Sequence, residues 1–208
     1  MKALIIINKI NLVFMLLTGL MVSGCSNDSS TDEAMVLPEL KSTDNEALLF
    51  MLEEEKLARD TYDYLYNLWG TRQFGNIRQS EQSHMNAIEN LLVLYNIDYE
   101  ILPYGEFANA ELQQLYNQFE VDGQASESAA LIIGATIEDL DIVDLMERIE
   151  ATENTAIIDV FSRLQCGSEN HLRAFTSTLS ALGEAYEPQF LDSELYQSII
   201  SSPSGSCR

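Results

Sequence analysis

Residues 48–62 read LLFMLEEEKLARDTY, and this stretch decides the fold. Its apolar positions, continued as far as Trp69, recur at steps of three and four residues, which is the spacing of one face of an α-helix. Glu55 and Arg59 fall within that face and interrupt it. The pattern therefore predicts a helix from Asp44 to Trp69 with a charged break near its middle.

Three further long helices and one short helix are predicted from the same kind of spacing. Gly70 and Gly75 bracket the first turn, and no useful length of sequence alternates with the period of a strand. The predicted segments are 76–102, 131–149 and 152–182, with the short helix at 110–119 inside a crossover at 103–124. Two helical hairpins joined by one long crossover predict an all-α four-helix bundle over residues 44–200, followed by a C-terminal tail at 201–208.

Composition narrows the classes of function. The chain carries 33 acidic and 11 basic residues, a formal net charge of -22. Nucleic-acid binding draws its affinity from Lys and Arg side chains that neutralise phosphates, so we expect no nucleic-acid partner. A strongly negative surface attracts metal cations, although most acidic runs are plain solvated surface.

The N-terminus is typical of an exported lipoprotein. Residues 1–24 have the order of a secretory signal peptide, with a lysine, an apolar stretch and then small residues. A transmembrane helix is the alternative, but polar residues interrupt the apolar run. The segment Val-Ser-Gly-Cys at 22–25 resembles the lipobox of bacterial lipoproteins, which implies a membrane anchor through lipidated Cys25.

Residues 25–43 contain a polar run without apolar periodicity, which predicts a flexible tether between the lipid and the domain. Ser26, directly after the lipidated cysteine, implies sorting to the outer membrane of a Gram-negative cell, facing the periplasm. An oxidising compartment permits a disulfide between Cys166 and Cys207. The sequence leaves this open, and we favour Cys166 as a small buried apolar residue.

Ionisable residues interrupt the apolar seam of each long helix at mid-length. A buried carboxylate is costly unless it is paired, protonated or bound to a metal, so breaks at a similar depth indicate a common partner. Glu81 and His84 stand three residues apart on one helix face and can share or flank a metal ion. The predicted ligands of a metal in the core are Glu55, Glu81, His84, Glu138 and His171.

Simpler interpretations compete with ligation for some of these residues. Arg59, one turn beyond Glu55, can neutralise it as a buried ion pair without any metal. Each histidine can be a core residue satisfied by a neighbouring carboxylate. Tyr62 can donate a hydrogen bond to a ligand or simply pack in the core.

The order of these residues on successive helices resembles the dinuclear iron sites of ferritins, bacterioferritins and rubrerythrins. Glu55 followed by Ala58 and Tyr62 matches their first-helix pattern and favours Glu55 over Glu54 as the ligand. A closer resemblance is to a ferritin-like prokaryotic family catalogued as a domain of unknown function (number 2202), over roughly residues 48–200. It is carried by the runs at 53–60, 80–85 and 170–175. This resemblance implies a ferritin-like bundle and supplies no activity.

One position departs from the di-iron pattern. Where those proteins have glutamate three residues before the histidine of the fourth helix, this chain has Ser168. Asp141, three residues after Glu138, is the expected substitute on the same side of its helix. Without a fourth glutamate we favour a single ion held by a subset of the five predicted ligands, and two ions stay open.

Two functions are expected from these patterns. Carboxylate and imidazole ligands suit iron, manganese and zinc. The first function is therefore a cell-envelope metal-binding lipoprotein, with iron or manganese oxidation, ferroxidase or peroxide-reducing chemistry open to it. The second is a non-catalytic envelope module whose polar core is a metal-free network. A lipid anchor is hard to reconcile with a closed ferritin shell, whereas a homodimer stays open.

Overall fold

A computed structural model describes residues 38–207 of the chain. The predicted signal peptide, the lipidation site Cys25 and most of the predicted tether lie outside the described residues. Residues 38–41 are non-helical, and the first helix begins directly after them. No helix in residues 38–207 combines the length and the apolar character needed to cross a membrane.

The described part of the chain is all-helical, with no strand in residues 38–207, which confirms the predicted class. Six helices follow one another in chain order: α1 Ser42–Trp69, α2 Arg72–Leu94, α3 Ala110–Asp122, α4 Glu127–Ala151, α5 Thr155–Ala181 and α6 Ser193–Ser201. The four long helices and the short crossover helix were all predicted, with different bounds for the second. The sixth helix was not predicted as a separate element.

The second helix begins and ends earlier than its predicted range of 76–102. The left-handed backbone of Gly70, with φ of 69°, ends α1, and α2 begins at Arg72. Gly75 lies inside α2 and not in the turn. A Cβ at this position would be only 2.7 Å from the Tyr66 ring. This close approach of α2 to α1 is the reason for the glycine. The helix ends at Leu94, well before Pro103.

The long helices form two hairpins, α1 with α2 and α4 with α5, and the hairpins meet through α1–α4 and α2–α5 contacts. The crossover helix α3 packs against α1 and α4, and α6 packs against α5. Two apolar clusters fill the interior, one around Tyr62, Phe74 and Phe175 and the other around Leu48 and Met85. Along α1, α2 and α5 the predicted polar breaks fall between these two clusters.

The C-terminal tail is fastened to α5 by a disulfide. Cys166 is bonded to Cys207 with a Cα–Cα distance of 5.5 Å, so its interpretation as a free buried residue is wrong. Asn170, one turn beyond Cys166, accepts a hydrogen bond from the Gly205 N–H and donates one to the Gly205 carbonyl. Sequence could not predict this pairing because it depends on where the tail returns after α6.

Candidate metal centre

A first group of potential ligands joins α1 and α2. The Nδ1 atom of His84 lies 3.1 Å from Oε2 of Glu55 and 2.9 Å from Oε2 of Glu81. Both glutamates are buried, with 1% and 2% of their side chains exposed. Glu81 and His84 meet because residues three apart lie on the same face of a helix. The first group therefore offers two carboxylates and one imidazole in one place.

A second group joins α2, α4 and α5. The Nδ1 atom of His171 lies 2.8 Å from Oε1 of Glu81 and 3.4 Å from Oε2 of Glu138. The His84 and His171 rings are stacked, with their centroids 5.5 Å apart. Glu81 thus belongs to both groups and turns one oxygen toward each histidine. The structure brings all five predicted ligands together.

The spacing of these atoms suits a metal ion. In each group the three ligand atoms lie within 4.8 Å of one another. Two ligands bound about 2.1 Å from one ion are at most about 4.2 Å apart, so small side-chain adjustments bring each group to coordination distance. The residue types, carboxylate oxygen and imidazole nitrogen, are ligands of iron, manganese and zinc.

Three buried atoms of the centre form no hydrogen bond with any residue that the structure describes, and two of them face each other. Within residues 38–207, Glu55 Oε1, Glu81 Oε1 and His171 Nδ1 have no hydrogen-bond partner. The last two are only 2.8 Å apart, so they are close but not aligned as donor and acceptor. Buried polar groups are normally satisfied, and atoms that converge without bonding to each other fit a shared cation between them.

Burial and the crowding of carboxylates shift the pKa values of the groups in the centre. Burial raises the pKa of Glu55 well above its usual range, and the charge of Asp141 adds to this. Burial would also raise the pKa of Glu81, but His171 and His84 outweigh it and hold that pKa well below its usual range. Burial lowers the pKa of His171, yet Glu81 and Glu138 outweigh this effect and raise it to about 10. A cation would offset the excess of carboxylates.

Neighbouring residues orient the candidate ligands. The Tyr62 hydroxyl donates to Oε1 of Glu138 at 2.6 Å and is itself fully buried. Ser80 Oγ lies 3.0 Å from Nε2 of His171, which leaves Nδ1 facing the carboxylates. A Cβ on Gly167 would lie 2.6 Å from Nε2 of His84, so only glycine admits the ring at this place. Such contacts fix ring orientation at metal sites.

The three additional residues named from sequence occupy different places. Tyr62 contacts the centre through Glu138, as described. Asp141 lies beside the centre, and Ser168 donates a hydrogen bond to its Oδ2 atom. Burial, reinforced by the charge of Glu138, raises the pKa of Asp141 to about 7. Arg59 does not join the centre, because its guanidinium donates to Asp60 and Gln82 instead of to Glu55.

Sequence reasoning missed two residues around the centre and set aside a third residue that proves to be buried. Ser80 precedes a predicted ligand directly, and Gly167 is a glycine inside a helical pattern, which often marks a close approach. Glu54 was set aside in favour of Glu55, yet its side chain is only 2% exposed. Three consecutive glutamates beside an apolar helix face indicate that more than one of them is buried. The run does not indicate which neighbours each one contacts.

Comparisons with known proteins place the chain among relatives of similar length. The family described as "Uncharacterized protein domain (DUF2202)" matches residues 44–203. The uncharacterized protein MJ0754 of Methanocaldococcus jannaschii is 46% identical over 165 residues, which cover 78% of this chain and 89% of the relative. A crystal structure of hypothetical protein MJ0754 from Methanococcus jannaschii has a TM-score of 0.79 and 44% identity, covering 81% of this chain and 99% of that chain.

Proposed function

The chain belongs to the family of the uncharacterized domain DUF2202, and we propose that it is a metal-binding protein with a two-ion centre in its helical bundle. The ligands are the five residues of the two groups described above: Glu55, Glu81, His84, Glu138 and His171. This proposal replaces the single ion favoured from the sequence.

One observation carries the proposal. The two oxygens of Glu81 face different histidines, with Oε2 2.9 Å from His84 and Oε1 2.8 Å from His171. A carboxylate that offers one oxygen to each of two ligand groups has the position of a bridging ligand. Glu55 completes the first group and Glu138 the second.

The path of the chain supports a ferritin-like arrangement of the bundle. Two hairpins, α1 with α2 and α4 with α5, are joined by a long connection that contains α3. In ferritin-like bundles a single long crossover links the two halves, and carboxylates and histidines project from facing helices into the core. The layer of polar residues between the two apolar clusters has this character.

Iron or manganese fits the ligands best, and zinc is the competing ion. Bound iron or manganese would supply oxidation by oxygen or peroxide, in the manner of a ferroxidase or a peroxide-reducing oxidoreductase. The protein's part is to hold the ligands in place and to keep the centre away from bulk water. Tyr62 positions Glu138 by its hydrogen bond, and Ser80 fixes the orientation of the His171 ring.

We further propose that the bundle works in the cell envelope, anchored through Cys25 to the outer membrane and facing the periplasm. The lipobox-like segment at 22–25 supports the anchor. The Cys166–Cys207 disulfide supports an oxidising compartment, because disulfides persist mainly in exported proteins.

A metal-free polar network is the competing function. It is favoured by the direct approach of His84 to Glu55 and Glu81, which can form charge-assisted hydrogen bonds without an ion. In that case the protein would be a binding or structural module of the envelope. The two functions differ in metal content and in the consequence of removing a histidine.

Elemental analysis of the chain purified without chelators tests the proposal. We expect two transition-metal ions per chain, and loss of metal in His84→Ala. Tyr104→Phe is a suitable control, because the Tyr104 hydroxyl donates to the Asp60 carbonyl away from the centre. A wild-type protein that is free of metal and takes up no added Mn²⁺, and that loses stability in His84→Ala because Glu55 and Glu81 lose their partner, would instead support the metal-free network.

A further inference from the structure

Three consecutive glutamates on α1 have different environments. The Glu53 carboxylate accepts hydrogen bonds from the backbone N–H groups of Ala108 and Asn109, at 2.7 and 2.8 Å. Glu55 belongs to the candidate centre. Glu54 is 2% exposed, and neither of its oxygens has a hydrogen-bond partner among the residues that the structure describes. The candidate centre does not use this side chain.

The neighbours of Glu54 are acidic. Its carboxyl group lies near those of Asp141 and Asp144 on α4, the helix that packs against α1. In the described range 38–207, no Lys or Arg nitrogen lies within 4.0 Å of the carboxylates of Glu54 or Asp144. Arg148, one turn beyond Asp144, lies over the Phe50 ring at 4.1 Å. A buried carboxylate among other carboxylates requires a cation or a shared proton.

The acidic residues of α4 form a row from the centre toward the surface. Glu138, Asp141 and Asp144 are spaced three residues apart, so they share one side of the helix and rise about 4.5 Å per step. Glu138 and Asp141 are buried, whereas Asp144 is only partly buried. Oδ1 of Asp141 is a further buried oxygen for which residues 38–207 provide no hydrogen-bond partner.

We propose that Glu54 and Asp144, with the adjacent Asp141, form a loading site at which a divalent cation binds on its way into the candidate centre. This inference rests on the proposed function and extends it from where ions are held to how they arrive. The partly exposed Asp144 meets the hydrated ion first, and the buried Glu54 replaces part of its water shell. Asp141, three residues from Glu138 and three from Asp144 along α4, is the carboxylate of this site that stands nearer in sequence to the centre.

The ligands of the loading site suit an ion that binds there briefly before it moves to the centre. Carboxylates without an imidazole favour hard cations such as Mn²⁺ and Fe²⁺, which keep several waters. The candidate centre adds two histidines and holds these ions more tightly. The loading site therefore binds the same ions more weakly, which lets them move inward.

The test is the rate at which metal-free protein takes up Mn²⁺, followed by the loss of the free-ion electron paramagnetic resonance signal after rapid mixing. We expect Glu54→Gln and Asp144→Asn to slow filling of the centre by about tenfold or more, with the final number of tightly bound ions unchanged. The matched control is Glu147→Gln, which removes one exposed charge from the same helix. It should fill within about twofold of the wild-type rate, because one exposed charge contributes little.

The outcomes separate the two proposals. Wild-type protein that binds Mn²⁺ tightly, with both variants filling as fast as Glu147→Gln, would overturn the loading site and point to a proton shared by Glu54 and Asp144. Slow filling in all three variants would also overturn it, since net charge alone would then set the rate. A wild-type chain without tight Mn²⁺ binding would overturn the proposed function itself.

Discussion

Glu138 and Asp139 are neighbours on α4 and equally buried, but they lie in opposite environments. Asp139 accepts hydrogen bonds from the Tyr186 hydroxyl at 2.7 Å and from the backbone N–H groups of Phe190 and Leu191 at 3.1 and 2.8 Å. Gln189 donates to it as well. Glu138 meets one donor, Tyr62, and otherwise faces the second histidine of the centre. Consecutive residues diverge in this way because they point about 100° apart around a helix.

The difference shows that burial alone does not mark a functional carboxylate. Asp139 is surrounded by donors, so its charge fastens the segment before α6 to α4. Asp60 is similar, since it accepts from Lys56, Arg59 and the Gly105 N–H. In the candidate centre such donors are too few for the number of carboxylates. The shortage of donors indicates where a cation belongs.

Replacing Asp139 by asparagine should have the largest effect on stability. An amide cannot accept from all four donors, and hydrogen bonds to a charged group contribute about 1.5 to 3 kcal/mol each. We expect Asp139→Asn to lower the free energy of unfolding of the metal-free protein by more than about 3 kcal/mol, measured by urea denaturation. The exposed Glu147→Gln serves as the control. An unchanged midpoint for Asp139→Asn would show that the donors around it find other partners.

Metal binding should stabilise the protein through Glu81. At a free Mn²⁺ concentration about 100 times the dissociation constant of each site, we expect each bound ion to raise the free energy of unfolding by about 2.7 kcal/mol. Glu81→Gln should remove this gain, because both ligand groups share that carboxylate. Unfolding curves with and without Mn²⁺ measure it. An equal gain in Glu81→Gln and wild type would mean that Mn²⁺ binds elsewhere.

Loss of an orienting residue should have a smaller effect. Tyr62→Phe removes the hydrogen bond to Glu138, and residues of this kind typically contribute about tenfold or more to metal affinity. We expect Mn²⁺ affinity to fall about tenfold, measured by competition with a chelator of known affinity. Tyr104→Phe removes a hydroxyl that bonds elsewhere and should keep wild-type affinity. Equal affinities of the two variants would contradict the role of Tyr62.

The smallest effect on stability is expected for the direct counterpart of Asp139→Asn. Glu138→Gln removes a charge that burial disfavours, and the amide oxygen can still accept from Tyr62. The metal-free variant should therefore unfold within about 1 kcal/mol of wild type or be more stable, as measured by urea denaturation. A loss as large as that of Asp139→Asn would remove the distinction between the two carboxylates.

Much of the fold followed from local patterns. The spacing of apolar residues predicted the four long helices and the crossover helix, because an amphipathic helix is encoded by residues three and four apart. The start of α2 was misplaced because Gly75 looks like a turn residue, whereas it is needed for contact with Tyr66. The short α6 escaped prediction, since its nine residues give too few turns for a clear period.

The sequence by itself determined that the five candidate ligands enter the core, because each of them interrupts an apolar helix face at a fixed position. Only the tertiary structure decided what those groups meet. It places Glu81 between two histidines, leaves Glu54 without a hydrogen-bond partner in the described residues, and surrounds Asp139 with donors. All three outcomes depend on how the helices are rotated and shifted against each other. Consecutive side chains point about 100° apart around a helix, so the rotation of the helix about its axis decides which of them faces the centre. Packing between distant segments fixes that rotation.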